Sequence, residues 1–326
     1  MRNEKEMLAI ILSYAENHDD IRAVILNGSR TNPEITPDAL QDYDIVFLVE
    51  SLKSYKSAAH WPRSDLKNGA PSLPGEGTDD IYRQFGELLV MQRTDFSELY
   101  HEDFDEYVCY LMQFKDGNRI DLTIANKQDY HGYCFDDRLS VVLLDKDGFL
   151  PPLPPPDGST HNIVKPSRSV FCEAVTSFWW MTTYVSKGLW RRQVLYAHHH
   201  LTESVIPTLS LMLSWYAGAT VRFPLSVGKQ YDGLKPYLPA VLWERYLVLF
   251  TGCDSQALWQ SLLSACELFQ EVAAVTAQKF GYYYDRQMAE DVLAFLRYTQ
   301  RQPYGSQEFT PLEDGIYLSA GSRGEV

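Results

Sequence analysis

The sequence predicts an α+β fold, in which a mixed sheet with flanking helices precedes a bundle of helices. Short apolar runs separated by turn signals dominate up to residue 150, and apolar residues at helical spacing dominate after it. Between them, Pro-Pro-Leu-Pro-Pro-Pro at 151–156 is typical of an extended, semi-rigid spacer. The predicted boundaries are a sheet domain over 1–150 and a helical domain over 151–326, the latter with a linker at 151–165 and a loosely tethered tail at 302–326.

Within the first domain, hydrophobic periodicity separates helix from strand. Apolar side chains recur every three to four residues over 4–18, which indicates a helix with one buried face. The segment 61–78 is rich in Pro and Gly and is predicted to be a loop. The other predicted elements are strands at 21–26, 43–49 and 85–91 and a helix or loop near 52–59.

Residues 107–124 are predicted to form a β-hairpin. Its two apolar runs are joined by Lys-Asp-Gly-Asn at 115–118, and Asp-Gly is a strong short-range hairpin signal. The second strand carries Asp121 in the otherwise apolar run Ile-Asp-Leu-Thr-Ile. An unpaired buried carboxylate is costly, so Asp121 is interpreted either as a strand-edge residue or as a functional group beside a cation.

After the proline run the sequence is helical in character. Gly188 lies between the first two helical stretches and is predicted to stop the first of them. The predicted helices span 169–187, 189–218, 239–250, 257–280 and 285–300, and they should form a bundle.

The most informative pattern is Asn-Gly-Ser-Arg at 27–30, followed thirteen residues after Ser29 by Asp42-Tyr-Asp44. The Gly-Ser turn offers backbone N–H groups and a hydroxyl, which suit a phosphate oxygen. Asp42 and Asp44 are separated by one residue in a predicted strand, so their side chains point to the same face. Two adjacent carboxylates repel each other unless a cation lies between them. With Asp121 as a later strand carboxylate, the pattern predicts a site for Mg²⁺ and a nucleoside triphosphate.

Composition limits the classes of function. The 326 residues suffice for two domains with cores of their own, and 45% apolar with 22% charged residues is ordinary for a soluble globular protein. A net charge of -14 without a basic patch argues against nucleic acid as a partner and would attract a polycationic small molecule. The absence of a membrane-spanning apolar run and of a signal peptide predicts a cytoplasmic protein without a membrane partner.

Two features that suggest metal binding are assigned to structure instead. The five cysteines are odd in number and show no C-x-x-C spacing, so we expect buried thiols in a reducing cytoplasm and no zinc site. His198-His199-His200 lie on a predicted helix, where consecutive side chains point in different directions and cannot converge on one ion. They are expected to serve in surface or interdomain packing.

Three longer strings carry a resemblance to a known family. They are Gly-Ser-Arg-Thr-Asn-Pro at 28–33, Gln-Asp-Tyr-Asp-Ile-Val-Phe at 41–47 and Asp-Gly-Asn-Arg-Ile-Asp-Leu-Thr at 116–123, with shorter matches at 89–92 and 184–191. With these strings the sequence resembles the streptomycin 6-adenylyltransferase family of the nucleotidyltransferase superfamily. The similarity extends from the first predicted helix to about Arg297.

The resemblance implies a nucleotidyltransferase-type sheet domain and an enzyme that gives antibiotic resistance. It would move AMP from ATP to a hydroxyl of streptomycin, expected to be the 6-hydroxyl, and release pyrophosphate. Asp42 and Asp44 would hold Mg²⁺ in catalysis, and the resemblance makes Asp121 the general base, a metal ligand or both. The residues expected to orient the phosphates are Gly28, Ser29 and Arg30.

Further candidates lie outside these motifs. Lys187, Arg191 and Arg192 form the best basic cluster of the helical domain, and at least one is expected to reach a phosphate; compensation of a helix dipole is the alternative. The run 95–106 holds six acidic side chains and is interpreted as a solvated loop, with a cation-binding rim as the alternative. Candidate contacts for a cationic substrate are Asp95, Glu173, Trp179 and Glu203; core packing is the alternative for the tryptophan, and surface salt bridges for the two glutamates.

Two other functions fit the same motifs. One is nucleotidyl transfer to another acceptor, such as a lincosamide, a different aminoglycoside or a protein hydroxyl. The other is a non-catalytic nucleotide sensor or antitoxin module, against which the presence of all three carboxylates argues. A polymerase or tRNA-end nucleotidyltransferase is disfavoured by the acidic charge. The sequence does not distinguish a monomer from a dimer.

Overall fold

The computed structural model describes residues 1–57, 81–97 and 102–309. The chain divides into two compact units, Met1–Thr160 and His161–Val326. The first contains a mixed sheet with helices and the second is helical, which confirms the predicted α+β class. The domain limits drawn from the sequence remain predictions. The loop predicted at 61–78 lies wholly outside the described residues. The acidic run predicted at 95–106 lies outside them at 98–101, and the tail predicted at 302–326 lies outside them at 310–326.

The first unit is built on a six-stranded sheet. Its described strands are β1 (Ile21–Asn27), β2 (Tyr43–Val49), β3 (Leu88–Arg93), β4 (Phe96–Ser97), β5 (Glu102–Asp103), β6 (Tyr107–Phe114), β7 (Arg119–Asn126) and β8 (Ser140–Asp145). The order is β3-β6-β7-β2-β1-β8, and β4 pairs separately with β5. Neighbours β2 and β7 run parallel, and the other pairs of the large sheet are antiparallel. The strands predicted at 21–26 and 43–49 are confirmed as β1 and β2.

The described helices of this unit are α1 (Glu4–Glu16), α2 (Lys53–Ser57) and α3 (Ile81–Phe85). Helix α1 begins at a capping box, in which the Asn3 side chain accepts from the Glu6 N–H and the Glu6 carboxylate accepts from the Asn3 N–H. One face of α1 is buried at helical spacing, which confirms the helix predicted over 4–18; its buried residues are Met7, Ile11, Tyr14 and Ala15.

Alternation along the central strands divides the sheet into two faces. On the face covered by α1, here called the α1 face, Ile45 and Phe47 of β2 join the larger apolar cluster of the unit. On the opposite face, Val46 and Leu48 join a smaller cluster whose other buried members are Ala23, Ile25, Ala125 and Cys134. Asp44 shares the alternation of Val46 and Leu48 and therefore lies at the end of the opposite face.

The predicted hairpin is confirmed, including its turn at 115–118 between β6 and β7. Asp116 ties this turn to the chain start, because its carboxylate accepts from Arg2 Nε at 2.7 Å and from the Asn118 N–H at 3.1 Å. The strand predicted at 85–91 begins at Leu88 instead. Phe85 ends α3, and its ring is buried in the α1-face cluster.

The second unit is a helical assembly around one apolar cluster, in which Phe178 stacks on Phe269 with 3.6 Å between ring centroids. Asp254 and Asp285 cap two of its helices by accepting N–H groups of the first turn. The described helices are α4 (Arg168–Trp190), α5 (Val194–His200), α6 (Ile206–Thr220), α7 (Ala240–Leu247), α8 (Ser255–Phe280) and α9 (Arg286–Arg301), with a π-helical turn at Leu201–Val205.

The prediction that Gly188 stops the first helix is wrong. Helix α4 continues to Trp190 and buries Gly188 within it. A Cβ at this position would lie 2.8 Å from Tyr196 Cδ1 and 3.1 Å from Ala197 Cβ, so the glycine allows α5 to pack closely. The break falls after Trp190, where Arg192 has a φ of 58°. The stretch predicted as one helix over 189–218 is therefore divided.

The proline run packs on the first unit. Leu153 within it is partly buried against the opposite-face cluster, and Asp145 accepts a hydrogen bond from the Leu150 N–H at 2.9 Å just before it. This part of the predicted linker is thus held against β8. Among the described residues, no helix is both long and apolar enough to cross a membrane.

The expectation that the cysteines are buried is wrong for two of the five. Cys134 and Cys266 are buried and Cys109 is half-buried, but Cys172 and Cys253 are exposed. Cys172 lies on the outer side of α4, and Cys253 lies in the connection before α8. All five thiols are free.

Candidate active site

The three predicted carboxylates meet at one end of the central strands. In the parallel β2–β7 pair Asp44 lies beside Asp121, and in the antiparallel β1–β2 pair it lies beside Asn27. Directly paired residues of neighbouring strands place their side chains on the same face. Asp42, just before β2, completes the group: Asp42, Asp44 and Asp121 each contribute an oxygen within 4.8 Å of the others. All three side chains are half-buried.

The Gly-Ser turn lies directly against this cluster. Residues Gly28–Thr31 form one 3₁₀ turn after β1, and Gly28 has a φ of +75°. A Cβ on Gly28 would lie 1.9 Å from Asp44 Oδ2, so only glycine allows this approach. The Gly28 N–H donates to the Leu139 carbonyl at 3.0 Å. A phosphate would therefore have to bind later N–H groups of the turn and the Ser29 hydroxyl.

Arg30 holds the loop that carries Asp42. Its Nε donates to the Asp42 carbonyl at 2.8 Å, and its Nη2 donates to the Gln41 carbonyl at 2.7 Å. The guanidinium also stacks on the Tyr43 ring, 3.7 Å from the centroid. With a side chain only 9% exposed, Arg30 fixes the backbone that positions Asp42. The role toward phosphate that the sequence indicated for Arg30 stays a prediction.

A guanidinium that was not predicted from the sequence lies among the carboxylates. Arg119, the first residue of β7, forms a bidentate pair with Asp121, with Nε–Oδ1 at 2.7 Å and Nη2–Oδ2 at 2.6 Å. Its Nε lies 3.8 Å from Asp42 Oδ2. The hydrogen bond to Asp121, together with the charges of the three carboxylates, raises the pKa of Arg119. Strand period was the missed signal, because residues two apart in a strand share a face.

The donor set fits Mg²⁺. This ion prefers oxygen ligands and is commonly held by one or two carboxylates together with substrate phosphates. Asp42, Asp44 and Asp121 are the residues that would hold it. Asn27 Oδ1, in the same cross-strand row, is buried and has no hydrogen-bond partner among the described residues. Asn27 begins the Asn-Gly-Ser-Arg pattern, but no role was predicted for it, because its place beside Asp44 comes from strand pairing.

Asp95 lies in a buried ion pair and not in the solvated loop that the sequence predicted. It is 4% exposed, and its Oδ1 accepts from Arg93 Nε at 2.6 Å and from the Cys109 N–H at 3.0 Å. The Arg93 guanidinium in turn stacks on the Tyr110 ring. The ion pair explains the burial, because a carboxylate can be buried when its charge is matched and hydrogen-bonded. Asp105 and Glu106 of the same run are exposed, as predicted.

The cationic and acidic candidates of the second unit lie on helix surfaces. Lys187 Nζ lies over the Tyr184 ring, 4.3 Å from its centroid, and Arg191 is the exposed residue that caps α4. Glu173 on α4 and Glu203 in the π-helical turn are exposed. Their roles toward nucleotide or acceptor stay predictions.

Of the two adjacent tryptophans, the one chosen from the sequence is buried. Trp179 is 2% exposed and packs edge-on against Phe178 and Phe269. A ring enclosed in the core cannot form a wall for a ligand. Trp180 is 62% exposed and is the ring that α4 presents to solvent.

A mixed sheet with three carboxylates at one strand end, beside a glycine turn, defines a class of site that accommodates a divalent cation and a phosphate chain. Comparison with known sequences identifies the family. The family described as streptomycin adenylyltransferase matches residues 1–64 and 77–299. The chain belongs to this family, which confirms the resemblance seen in its motifs.

Three curated relatives are each named aminoglycoside 6-adenylyltransferase. The protein from Bacillus subtilis (strain 168) is 33% identical over 287 residues, covering 87% of this chain and 93% of the relative. The protein from Campylobacter jejuni is 33% identical over 308 residues, covering 94% and 99%. The protein from Staphylococcus aureus is 33% identical over 271 residues, covering 83% and 89%.

Proposed function

We propose that this protein transfers AMP from ATP to a hydroxyl of an aminoglycoside and releases pyrophosphate. The expected acceptor is the 6-hydroxyl of streptomycin, and antibiotic resistance is the expected consequence. The carboxylate cluster of Asp42, Asp44 and Asp121, present in a member of this family, is the observation that supports it most directly. The net charge of -14 suits a polycationic acceptor. A cytoplasmic location, where ATP is available, is part of the proposal.

In this proposal the end of the opposite face binds the nucleotide. Asp42 and Asp44 would hold Mg²⁺, with Asp121 beside them. When bound, Mg²⁺ neutralises charge on the triphosphate oxygens. Gly28 allows the Asp44 carboxylate to lie against the turn, and the Ser29 hydroxyl would orient a phosphate so that pyrophosphate leaves in line.

The transfer step exchanges one P–O bond for another. The acceptor oxygen bonds to the α-phosphorus, and the bond from that phosphorus to the oxygen bridging to the β-phosphate breaks. Asp121 would take the proton of the acceptor hydroxyl. Asp121 lies beside Asp44, within the carboxylate cluster that would hold Mg²⁺.

Residues of the second unit are proposed to contact nucleotide or acceptor. Lys187 and Arg191 would contact phosphate, since a triphosphate carries more charge than one Mg²⁺ neutralises. The proposed acceptor contacts are Glu173, Glu203 and Trp180, the last replacing the buried Trp179. Asp95 is left out, because Arg93 and the Cys109 N–H already engage its carboxylate.

The test is pyrophosphate release from ATP and Mg²⁺, measured with and without streptomycin. Release that depends on streptomycin and disappears in Asp42→Asn would support the proposal. Release that depends on a lincosamide or another aminoglycoside would change the acceptor. Bound ATP without release for any acceptor would overturn the transfer function.

Asp121→Asn tests the proposed base. We expect turnover to be abolished while ATP binding, measured by calorimetry, survives. Asp105→Asn is the matched control, because Asp105 is an exposed carboxylate of the same unit that pairs with Lys56. Near-normal turnover in Asp121→Asn would remove the base assignment.

A further inference from the structure

We propose that Arg119 is a built-in counter-cation of the carboxylate cluster. Its guanidinium pairs with Asp121 and lies against Asp42, and we infer that it moves away from these carboxylates when a divalent cation binds. The inference rests on the proposed function through its metal site, but it concerns cation binding and not transfer. Arg119 is thus a positioning residue, acting through the carboxylates.

The geometry of the pair is that of a specific ion pair. The planar guanidinium matches a carboxylate in a two-point fork, the form that Arg but not Lys can make. Both Asp121 oxygens accept from Arg119, at 2.7 and 2.6 Å. Arg119 and Asp121 are two apart in β7, so the strand itself brings them to the same face.

The charges explain why a cation is needed at this place. Asp42, Asp44 and Asp121 bring oxygens within 4.8 Å of one another, and like charges at such distances repel. One guanidinium offsets part of this repulsion. A divalent cation would offset more of it, and two of the carboxylates that would hold it, Asp121 and Asp42, are those that Arg119 contacts. The two cations therefore compete for these carboxylates.

The exposure of Arg119 explains why its side chain can move away from the carboxylates. Its side chain is 44% exposed, whereas that of Arg93 in the buried pair with Asp95 is 13% exposed. A half-exposed arginine can turn to solvent without leaving an unpaired charge in the protein interior. Arg93 could not leave in this way, because Asp95 would then be buried without its partner.

The test is binding of Mn²⁺ without nucleotide, followed by the paramagnetic resonance of free Mn²⁺. Arg119→Gln should bind Mn²⁺ about tenfold more tightly than the wild type. The substitution removes a positive charge whose Nε lies 3.8 Å from an Asp42 oxygen and which would repel the ion. Arg22→Gln is the matched control and should not change affinity. Arg22 also forms a two-point pair with an aspartate, Asp147, and lies in β1 five strand positions before Asn27, away from the site.

A second measurement follows stability. In EDTA, Arg119→Gln should melt at a lower temperature than the wild type, and saturating Mn²⁺ should narrow that difference. Arg119→Lys keeps the charge but loses the fork, so its gain in Mn²⁺ affinity should be smaller than that of Arg119→Gln. This variant also provides the comparison if Arg119→Gln does not fold.

Unchanged or weaker Mn²⁺ binding in Arg119→Gln would overturn the inference, because Arg119 would then not compete for the carboxylates. Failure of every variant and of the wild type to bind Mn²⁺ would overturn it together with the metal site. Tighter binding in Arg119→Gln, with no acceptor-dependent pyrophosphate release by the wild type, would support the inference and defeat the proposed function.

Discussion

The two faces of strand β2 differ in what their side chains do. On the α1 face, Tyr43, Ile45, Phe47 and Val49 are all buried in one apolar cluster. On the opposite face the apolar contacts end at Val46, and the next position along the alternation is Asp44. One seven-residue strand therefore stabilises the unit with one side and positions a carboxylate with the other.

The two faces therefore contribute to different properties: the α1 face to the stability of the unit, and the carboxylates of the opposite face to the candidate site. Burial of apolar side chains stabilises the α1 face whether or not a ligand is bound. The carboxylates of the opposite face repel one another and contribute favourably only when a cation lies among them. Substitutions on the two faces should consequently affect different measurements.

The largest effect is expected for Asp44→Asn. Loss of a metal-binding carboxylate removes several kcal/mol of transition-state stabilisation, so acceptor-dependent pyrophosphate release should fall by roughly 10³-fold. The free energy of unfolding in EDTA should change by less than ~1 kcal/mol, because removing one charge also relieves repulsion. Urea unfolding and the release assay measure the two quantities. A large loss of stability with little loss of turnover would contradict the division between the faces.

Phe47→Ala should show the converse pattern. Phe47 is fully buried on the α1 face and stacks at 6.0 Å from Tyr14 of α1. Removing a buried phenyl ring costs about 3–5 kcal/mol of unfolding free energy, measured by urea denaturation. The folded fraction of this variant should keep ATP affinity within about twofold, because Phe47 lies on the α1 face and not among the carboxylates. A factor of two corresponds to under 0.5 kcal/mol of binding free energy. A stability loss below ~1 kcal/mol would mean that the α1 face does not stabilise the unit as described.

Gly28→Ala should lower both the free energy of unfolding and the turnover, because Gly28 has a left-handed backbone conformation and also lies against Asp44. A left-handed conformation costs an alanine about 1–2 kcal/mol, and the new methyl must also displace the Asp44 carboxylate. Displacement by about 1 Å is expected to lower turnover by roughly 10²-fold.

Gly148→Ala is the matched control for that variant. Gly148 has a φ of +63° with no atom within 4 Å of an added Cβ, so it carries the backbone cost without the clash. Gly28→Ala should lose at least as much stability as Gly148→Ala, and only Gly28→Ala should lose turnover. Equal turnover in both would show that the approach of Gly28 to Asp44 is not needed for activity.

Strand periodicity predicted the centre of the site from the sequence. Two-residue spacing predicted Asp42 and Asp44 on one face, and the turn signal predicted the strand that carries Asp121, because both are local properties of the chain. The parallel pairing of β2 with β7 then brings Asp121 beside Asp44. The same periodicity would have indicated Arg119 beside Asp121. Asn27 could not be assigned in this way, because it joins the row through its pairing with Asp44.

Packing partners explain the remaining errors. Gly188 was predicted to stop a helix because the sequence does not show that Tyr196 and Ala197 pack against it. These two residues leave no space for a side chain at position 188. For Trp179 and Trp180, only the position of the core around Phe178 decides which ring is buried. Asp95 reads as solvated because its partner Arg93 and the donating Cys109 N–H come together only in the folded sheet.

The smallest expected effect concerns the turn that leads into β7. The hydrogen bond from Arg2, aided by bonds from Asn118, holds the pKa of Asp116 well below its usual range. The folded state therefore binds this proton less readily than the unfolded state, so the interaction stabilises above about pH 4 and is lost as the pH falls further. Asp116→Asn should lower the free energy of unfolding by about 1 kcal/mol at pH 7, and the difference from the wild type should fade below about pH 4.

Urea denaturation at several pH values measures this effect, with Asp105→Asn as the control. Asp105 also pairs with a cation, Lys56, but its side chain is 91% exposed, so its loss should matter less. A pH-independent difference for Asp116→Asn would mean that the turn is stabilised by its backbone geometry and not by the charge of Asp116. In that case the position of Arg119 and Asp121, three and five residues further on, would depend on the turn and not on its tie to Arg2.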